Sequence, residues 1–133
     1  MINARLRILT VLVLVASSCR DQARRSEMLR VDQKSNNTEV VLAVGQELEI
    51  ALAENPTTGF RWELLSSGEP SCVLVDNVFD PPSPVVPGRG GTRRWHFRGA
   101  REGSGRIELV YRRATERDKP PAQTFNITAR IER

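Results

Sequence analysis

Short runs of alternating apolar and polar side chains, separated by turn residues, constrain the fold of this chain most strongly. In residues 47–53, Leu48, Ile50 and Leu52 are apolar while the intervening residues are glutamate and alanine, as in a half-buried strand. No segment shows a convincing helical period. Seven runs are predicted as strands: residues 38–44, 47–53, 60–65, 72–79, 93–98, 106–111 and 124–131. This spacing predicts an all-β fold, an immunoglobulin-like antiparallel β-sandwich of about seven strands.

A chain of 133 residues is long enough for one domain with a core of its own. Its two cysteines are Cys19 and Cys72, and Cys72 stands alone if Cys19 is lipidated or removed. We therefore expect no disulfide, and we expect Cys72 to be a buried thiol within a strand. Trp62 and Trp95 are in phase with the apolar faces of their strands and are predicted to lie in the core.

The first 18 residues have the layout of a secretory signal peptide. Arg5 and Arg7 precede a short apolar run, and small residues lead into Cys19. This layout is also that of a lipoprotein-type leader with Cys19 as the first mature residue, although Cys19 could equally be an incidental thiol in a discarded peptide. We expect residues 19–34 to form a tether and residues 35–133 the β-domain. The protein is thus predicted to be exported, as a periplasmic or cell-envelope lipoprotein or in secreted form, with membrane contact only through a lipid on Cys19.

Charge is segregated along the chain. Residues 26–87 contain three basic residues against ten acidic ones, whereas residues 88–120 contain ten basic residues against four acidic ones. Since an exported protein seldom meets nucleic acid, we expect no nucleic-acid partner. The basic block is instead a candidate docking surface for an acidic partner.

Catalytic groups are scarce, so we do not expect an enzyme. His96 is the single histidine, and its position between Trp95 and Phe97 predicts that it faces solvent. One histidine cannot build a His-rich metal site, and no nucleophile elbow or telling pair of carboxylates is present. We accordingly expect no metal and no cofactor.

Three loops carry the unusual sequence. The first reads Asn55-Pro56-Thr57-Thr58-Gly59, in which Pro56 fixes its own φ and Gly59 can take a positive φ. The loop should be stiff, with two small neutral threonines at its tip; the simpler interpretation is a tight turn between strands.

The other two loops have a different composition. Residues 87–92 contain three glycines, which allow close approach by a ligand or by a neighbouring strand, but the spacing is not that of a phosphate-binding loop. Residues 112–121 are heavily charged and are consistent with a solvated hairpin loop.

Taken together, these loops resemble one family. The segments NPTTGFRW (55–62), GRGGTRRWHF (88–97) and YRR (111–113) occur in the order and at the distances found in the chagasin family of inhibitors of papain-like cysteine proteases. The resemblance covers residues 35–131. It implies a reversible, tight-binding inhibitor that acts as a monomer on a papain-like cysteine protease, with Asn55–Phe60 entering the active-site cleft and Thr57 and Thr58 near the catalytic cysteine. It also implies that Gly88–Thr92 and Arg112–Glu116 flank the cleft.

The residues that the resemblance predicts to bind protease are Asn55, Pro56, Thr57, Thr58, Gly59, Phe60, Gly88, Arg89, Gly90, Gly91, Thr92 and Arg113. The third loop departs from the family pattern, because Arg113-Ala114-Thr115 stands where the family usually has Arg-Pro-Trp. Buried tryptophans often dominate the energy of an interface. An alternative is therefore a non-inhibitory protein-binding module of the cell envelope that has kept the fold.

Overall fold

The computed structural model describes residues 18–133. Residues 18–26 are helical, and eight strands follow. The strands are β1 (Leu29–Asp32), β2 (Thr38–Ala43), β3 (Glu47–Glu54), β4 (Phe60–Ser67), β5 (Cys72–Asp80), β6 (Gly91–Gly99), β7 (Gly103–Arg113) and β8 (Gln123–Glu132). Short 3-10 turns lie at Gln33–Ser35, Pro56–Thr58 and Ala114–Glu116.

The strands form two four-stranded sheets packed face to face, so the predicted all-β sandwich is confirmed. One sheet has the order β1-β3-β6-β5 and the other has the order β2-β8-β7-β4. All seven predicted strands are present, with ends that differ by a few residues. The antiparallel expectation does not hold everywhere, because β1 pairs with β3 and β2 pairs with β8 in parallel.

Strand β1 is the element that the sequence did not predict. It lies inside the segment expected to be a tether, yet it pairs with β3 over four residues, and Leu29 and Val31 pack against the core. The folded part therefore begins before residue 35. Four residues in a charged context carry too little alternation for a strand prediction; pairing with an existing sheet stabilises them instead.

The core lies between the inner faces of the two sheets. Trp62 and Trp95 are buried there as predicted, and Cys72 is fully buried. Burial raises the pKa of the Cys72 thiol to about 11, which keeps it protonated and unreactive. Both cysteines are free. The fully buried aliphatic and aromatic side chains include Leu42, Leu48, Ile50, Phe97, Ile107, Leu109, Phe125 and Ile127.

His96 corrects one prediction. Its side chain points away from the core, but it is only 22% exposed, because its ring nitrogens bond the carboxylates of Asp76 and Glu49 on neighbouring strands. The expectation that it faces open solvent is therefore wrong. Alternation correctly placed the ring on the outer face, but the acids that cover it come from β3 and β5, far away in sequence.

The helical segment lies at the end of the sandwich where β3 begins. Gln46 holds the residue that follows the helical segment, since the Gln46 Nε2 donates to the carbonyl of Glu27 at 2.9 Å. No helix within residues 18–133 is long and apolar enough to span a bilayer. The predicted signal peptide lies almost wholly outside the described residues, while Cys19 is exposed on the helical segment.

Candidate functional site

Three connections meet at the opposite end of the sandwich. Loop 1 (residues 55–59) joins β3 to β4, loop 2 (81–90) joins β5 to β6, and loop 3 (114–122) joins β7 to β8. In the sheet register Glu54 is opposite Gly91, and Phe60 is opposite Arg113. Loop 1 thus crosses from one sheet to the other, with loop 2 on one side and loop 3 on the other.

Loop 1 is closed by its own hydrogen bonds. Asn55 caps a 3-10 turn over Pro56–Thr58: its Oδ1 accepts from the Thr57 amide at 3.3 Å and from the Thr57 hydroxyl at 2.6 Å. The Gly59 amide donates to the Pro56 carbonyl at 3.0 Å, with Gly59 at φ 81°. A left-handed residue here favours glycine, as expected from the sequence. The backbone is therefore fixed between a proline and a glycine.

The tip of loop 1 is small and uncharged. Thr57, Thr58 and Gly59 are exposed. Both threonine hydroxyls donate back into the loop, the Thr58 hydroxyl to the Asn55 carbonyl at 2.7 Å. The tip consequently presents methyl groups and backbone to a partner, because both threonine hydroxyl hydrogens are already used in hydrogen bonds within the loop.

A buried ion pair supports the loop from below. Glu54 is almost completely buried and binds the Arg93 guanidinium at 2.8 Å, while its other oxygen accepts from the Trp62 amide at 2.8 Å. This links the last residue of β3 to β6 and to β4. A buried charge with partners on two other strands resists displacement, because removing either partner leaves an uncompensated charge.

Tyr111 completes the support. Its hydroxyl accepts from the Asn55 amide at 3.0 Å, and its ring lies 5.1 Å from that of Trp62 and 5.5 Å from that of Phe60. Sequence reasoning missed Glu54, Arg93 and Tyr111 as site residues. One signal was present: Glu54 continues the phase of Leu48, Ile50 and Leu52, so a charge was placed on an apolar face.

Loop 2 approaches loop 1 through its backbone. The Asn55 Nδ2 donates to the Gly88 carbonyl at 3.0 Å. A Cβ on Gly90 would lie 3.1 Å from the Glu54 carbonyl oxygen, and one on Gly91 would lie 2.1 Å from that of Asp80. Gly90 and Gly91 are thus needed for close contact with neighbouring strands, one of the two uses that the sequence allowed, whereas a Cβ on Gly88 would meet nothing within 4 Å. Gly91 and Thr92 belong to β6 rather than to the loop.

Loop 2 also exposes apolar and basic side chains. Val85 and Val86 are 75% and 44% exposed, and Arg89 is exposed beside them. This apolar stretch precedes the glycines predicted to bind protease and was not among the predicted residues.

At loop 3, Arg113 braces loop 1. Its Nε donates to the Thr58 carbonyl at 3.1 Å, and its guanidinium lies 4.5 Å from the centre of the Phe60 ring. Ala114 and Thr115, which replace the usual proline and tryptophan, are exposed in a 3-10 turn. The structure brings together loop 1, Phe60, the Gly88–Gly90 part of loop 2 and Arg113, which includes every predicted residue except Gly91 and Thr92 of β6.

One known family matches most of this chain. Residues 41–129 match the model of the chagasin family peptidase inhibitors. The chain belongs to the chagasin family. Amoebiasin-1 of Entamoeba histolytica is 38% identical to it over 85 residues, which are 64% of this chain and 82% of amoebiasin-1. Chagasin of Trypanosoma cruzi is 30% identical over 102 residues, covering 74% of this chain and 93% of chagasin.

Solved structures agree on the fold. The cysteine protease inhibitor EhICP2 of Entamoeba histolytica superposes with a TM-score of 0.68 at 19% identity, covering 79% of this chain and 95% of EhICP2. PbICP-C, solved in complex with falcipain-2, superposes with a TM-score of 0.55 at 20% identity, covering 80% of this chain and all of PbICP-C. Membership of the chagasin family, shown by the family model and by the two sequence relatives, makes the protein an inhibitor of cysteine proteases and not an enzyme, and the alternative of a non-inhibitory module is not favoured.

Proposed function

We propose that this chagasin-family protein is a reversible, tight-binding inhibitor of papain-like cysteine proteases, with loop 1 inserted into the active-site cleft. The observation that carries the proposal is the closure of loop 1 by hydrogen bonds on all sides. Asn55 binds within the loop, to Tyr111 and to Gly88, while Arg113 holds the Thr58 carbonyl. The loop is already in the shape in which it binds, so little conformational entropy is lost on association.

This closure also explains how the loop resists cleavage. Proteolysis needs a peptide carbonyl that can reach a near-attack distance from the catalytic sulfur. In loop 1 the Asn55, Pro56 and Thr58 carbonyls accept hydrogen bonds from groups of the inhibitor itself. A 3-10 turn also differs from an extended substrate strand. The loop fills the cleft without offering a peptide bond in attack geometry.

The tip suits the chemistry of the proposed cleft. A papain-like active site contains a thiolate beside an imidazolium. Threonines whose hydroxyls bond inward bring no charge to that ion pair, and small side chains fit a narrow groove. Loop 2 supplies Gly88 and Arg89 on one side, and Arg113 lies on the other.

The loop 3 departure changes how that flank works. With Ala114 and Thr115 in place of proline and tryptophan, loop 3 presents no aromatic anchor. On this side of the cleft the contribution to binding comes instead from Arg113, which holds loop 1 in its conformation. Support for a papain-like partner comes from PbICP-C, a protein of the same fold solved with falcipain-2. We propose a one-to-one complex with a monomeric inhibitor.

Titration against a panel of papain-like proteases tests this function. We expect stoichiometric inhibition, and we expect mass spectrometry to recover intact inhibitor after long incubation. Cleavage within residues 55–60, or no complex at micromolar concentrations with any member of the panel, would contradict the proposal.

We also propose that the protein is exported and held at the cell envelope by a lipid on Cys19. In support, Cys19 is exposed, and residues 21, 24 and 25 of the same helical segment lie beside Ala43 and Glu132, at the end of the sandwich remote from the loops. A lipid there leaves the loops facing away from the membrane. Metabolic labelling with an acyl probe, compared between the parent and Cys19→Ser, tests this; equal labelling or none contradicts it.

A further inference from the structure

Basic side chains gather on the outer face of the β4–β7 pair, directly behind loops 1 and 3. Arg61 and Arg112 are direct cross-strand neighbours in the register. Like charges in such positions repel each other. Glu63 offsets part of this repulsion: it binds Arg112 at 3.1 Å and Arg117 of loop 3 at 3.7 Å. The Arg112 hydrogen bond, chiefly, lowers the pKa of Glu63.

Two acids of this region are each bound to two basic side chains, while Arg61 and Arg117 remain exposed. Glu63 holds two guanidiniums, and Glu116 holds both Arg113 and Lys119 at 3.5 Å. Arg117 is 64% exposed. Within residues 18–133 the exposed Arg61 forms no hydrogen bond or ion pair to a protein acid. Three arginines around one glutamate leave a net positive charge on this surface, which we call the cationic flank: Arg61 and Arg117, which are exposed, and Arg112, whose side chain is 18% exposed.

The structure also separates this surface from four other arginines of the basic block seen in the sequence. Arg93 and Arg94 are bound to Glu54 and Glu49. Arg98 is opposite Glu47 at the start of β3, and Arg101 follows the end of β6, so both lie at the end remote from the loops. Arg61, which precedes the block in sequence, joins the cationic flank through its pairing with Arg112.

We propose that the cationic flank docks against an acidic wall beside the active-site cleft of the target protease. The proposal rests on the function proposed above. Arg61 follows Phe60 and Arg112 precedes Arg113, so the flank continues the loop surface without a gap, and a protease that receives loop 1 faces it. The flank thus selects for carboxylates on that wall, and it adjoins loop 3, which lacks the usual tryptophan. Exposed charges of this kind act mainly on the association rate.

The test compares two double variants with equal change in net charge. Arg61→Gln/Arg117→Gln removes exposed charge from the flank, and Arg98→Gln/Arg101→Gln removes it from the remote end. Association and dissociation rates are measured at low and high salt against two papain-like proteases, one with an acidic and one with a basic surface beside the cleft. We expect the flank variant to associate with the acidic protease about tenfold more slowly at low salt and to lose most of the salt dependence. The remote variant should match the parent.

If both variants associated equally slowly, the effect would come from the net charge of the protein and not from the flank, and the proposal would be overturned. Unchanged association of the flank variant with the acidic protease would also overturn it. The same holds if the flank variant loses binding to heparin or to anionic vesicles but associates with the protease as the parent does. These outcomes are distinct from failure of the proposed function, in which the parent itself inhibits neither protease. Melting temperatures of both variants control for folding.

Discussion

The base and the tip of loop 1 are built from opposite kinds of residue. The base contains a buried ion pair, Glu54 with Arg93, joined to Trp62 and Tyr111. The tip contains two exposed threonines and no charge. The two parts have different roles. The buried ion pair of the base holds the loop in one conformation, and the small uncharged side chains of the tip fit a narrow cleft. Changes at the base should therefore affect stability, and changes at the tip should affect binding alone.

The tip should show the largest effect. In Thr57→Glu/Thr58→Glu, two carboxylates would be desolvated in the cleft beside a thiolate. We expect the inhibition constant for a papain-like protease to rise at least about 1000-fold, equivalent to about 4 kcal/mol. The melting temperature should fall only slightly, because both positions are exposed and only hydrogen bonds within the loop are lost. Thr57→Ser/Thr58→Ser is the matched control, because it keeps both hydroxyls and should inhibit nearly as well as the parent. Undiminished inhibition by the glutamate variant would show that loop 1 does not enter the cleft.

At the base we expect the converse. Glu54→Ala leaves Arg93 without its carboxylate in a buried site and should lower the free energy of unfolding by about 3 kcal/mol or more. Chemical denaturation measures this loss. The control is Glu63→Ala, which removes a partly exposed carboxylate from Arg112 and should lower the free energy of unfolding by less than about 1 kcal/mol. If Glu54→Ala destabilised the protein as little as Glu63→Ala does, the buried ion pair would not be what stabilises the base.

The strands and the position of the tip were predictable from the sequence, whereas the base was not. Alternation gave seven strands, and the loop motifs gave the family and the position of the tip. Strand β1 escaped because four residues carry little pattern, and its stability comes from parallel pairing with β3. The base escaped because its partners, Glu54 and Arg93, are 39 residues apart and meet only in the register of β3 with β6.

Loop 3 shows a further limit of sequence reasoning. Arg113 was predicted as a residue that contacts protease, but the structure also gives it a role inside the inhibitor, through the Thr58 carbonyl and the Phe60 ring. Long side chains can reach several partners, and alternation says only which face they start from. The cationic flank was similarly hidden, since Arg61 and Arg112 become neighbours only when β4 pairs with β7.

Asn55 joins base and tip, so its replacement should affect both properties moderately. Asn55→Ala removes the cap of the 3-10 turn and the bond to the Gly88 carbonyl. We expect about 1 kcal/mol less stability and an inhibition constant about tenfold higher. Asn55→Ser keeps a capping oxygen but cannot reach Gly88, so it should recover the stability while leaving part of the affinity loss. Full recovery of both by serine would show that the link to loop 2 contributes nothing.

The smallest effect lies outside both regions, on the outer face of the β1-β3-β6-β5 sheet. Burial lowers the pKa of His96, but hydrogen bonds to Asp76 and Glu49 outweigh it and leave the pKa above its ordinary 6.5. The folded state therefore favours the charged ring, and this stabilisation is complete below pH 6.5 and is lost as the pH rises through the folded pKa. Because the site is partly open to solvent, we expect less than about 1 kcal/mol.

Urea denaturation of the parent and of His96→Gln, at pH 5.5 and pH 8.5, isolates the histidine contribution from other titrating groups. The parent should lose more stability than the variant between these two pH values, because only the parent loses a charged imidazole between two carboxylates. The inhibition constants of the two proteins should stay equal at both pH values, since Asp76, Glu49 and His96 touch neither the base nor the tip of loop 1. A pH-dependent difference in inhibition would mean that this outer face is coupled to the loops through β3 and β6, and that stability and binding are not separated in this sheet.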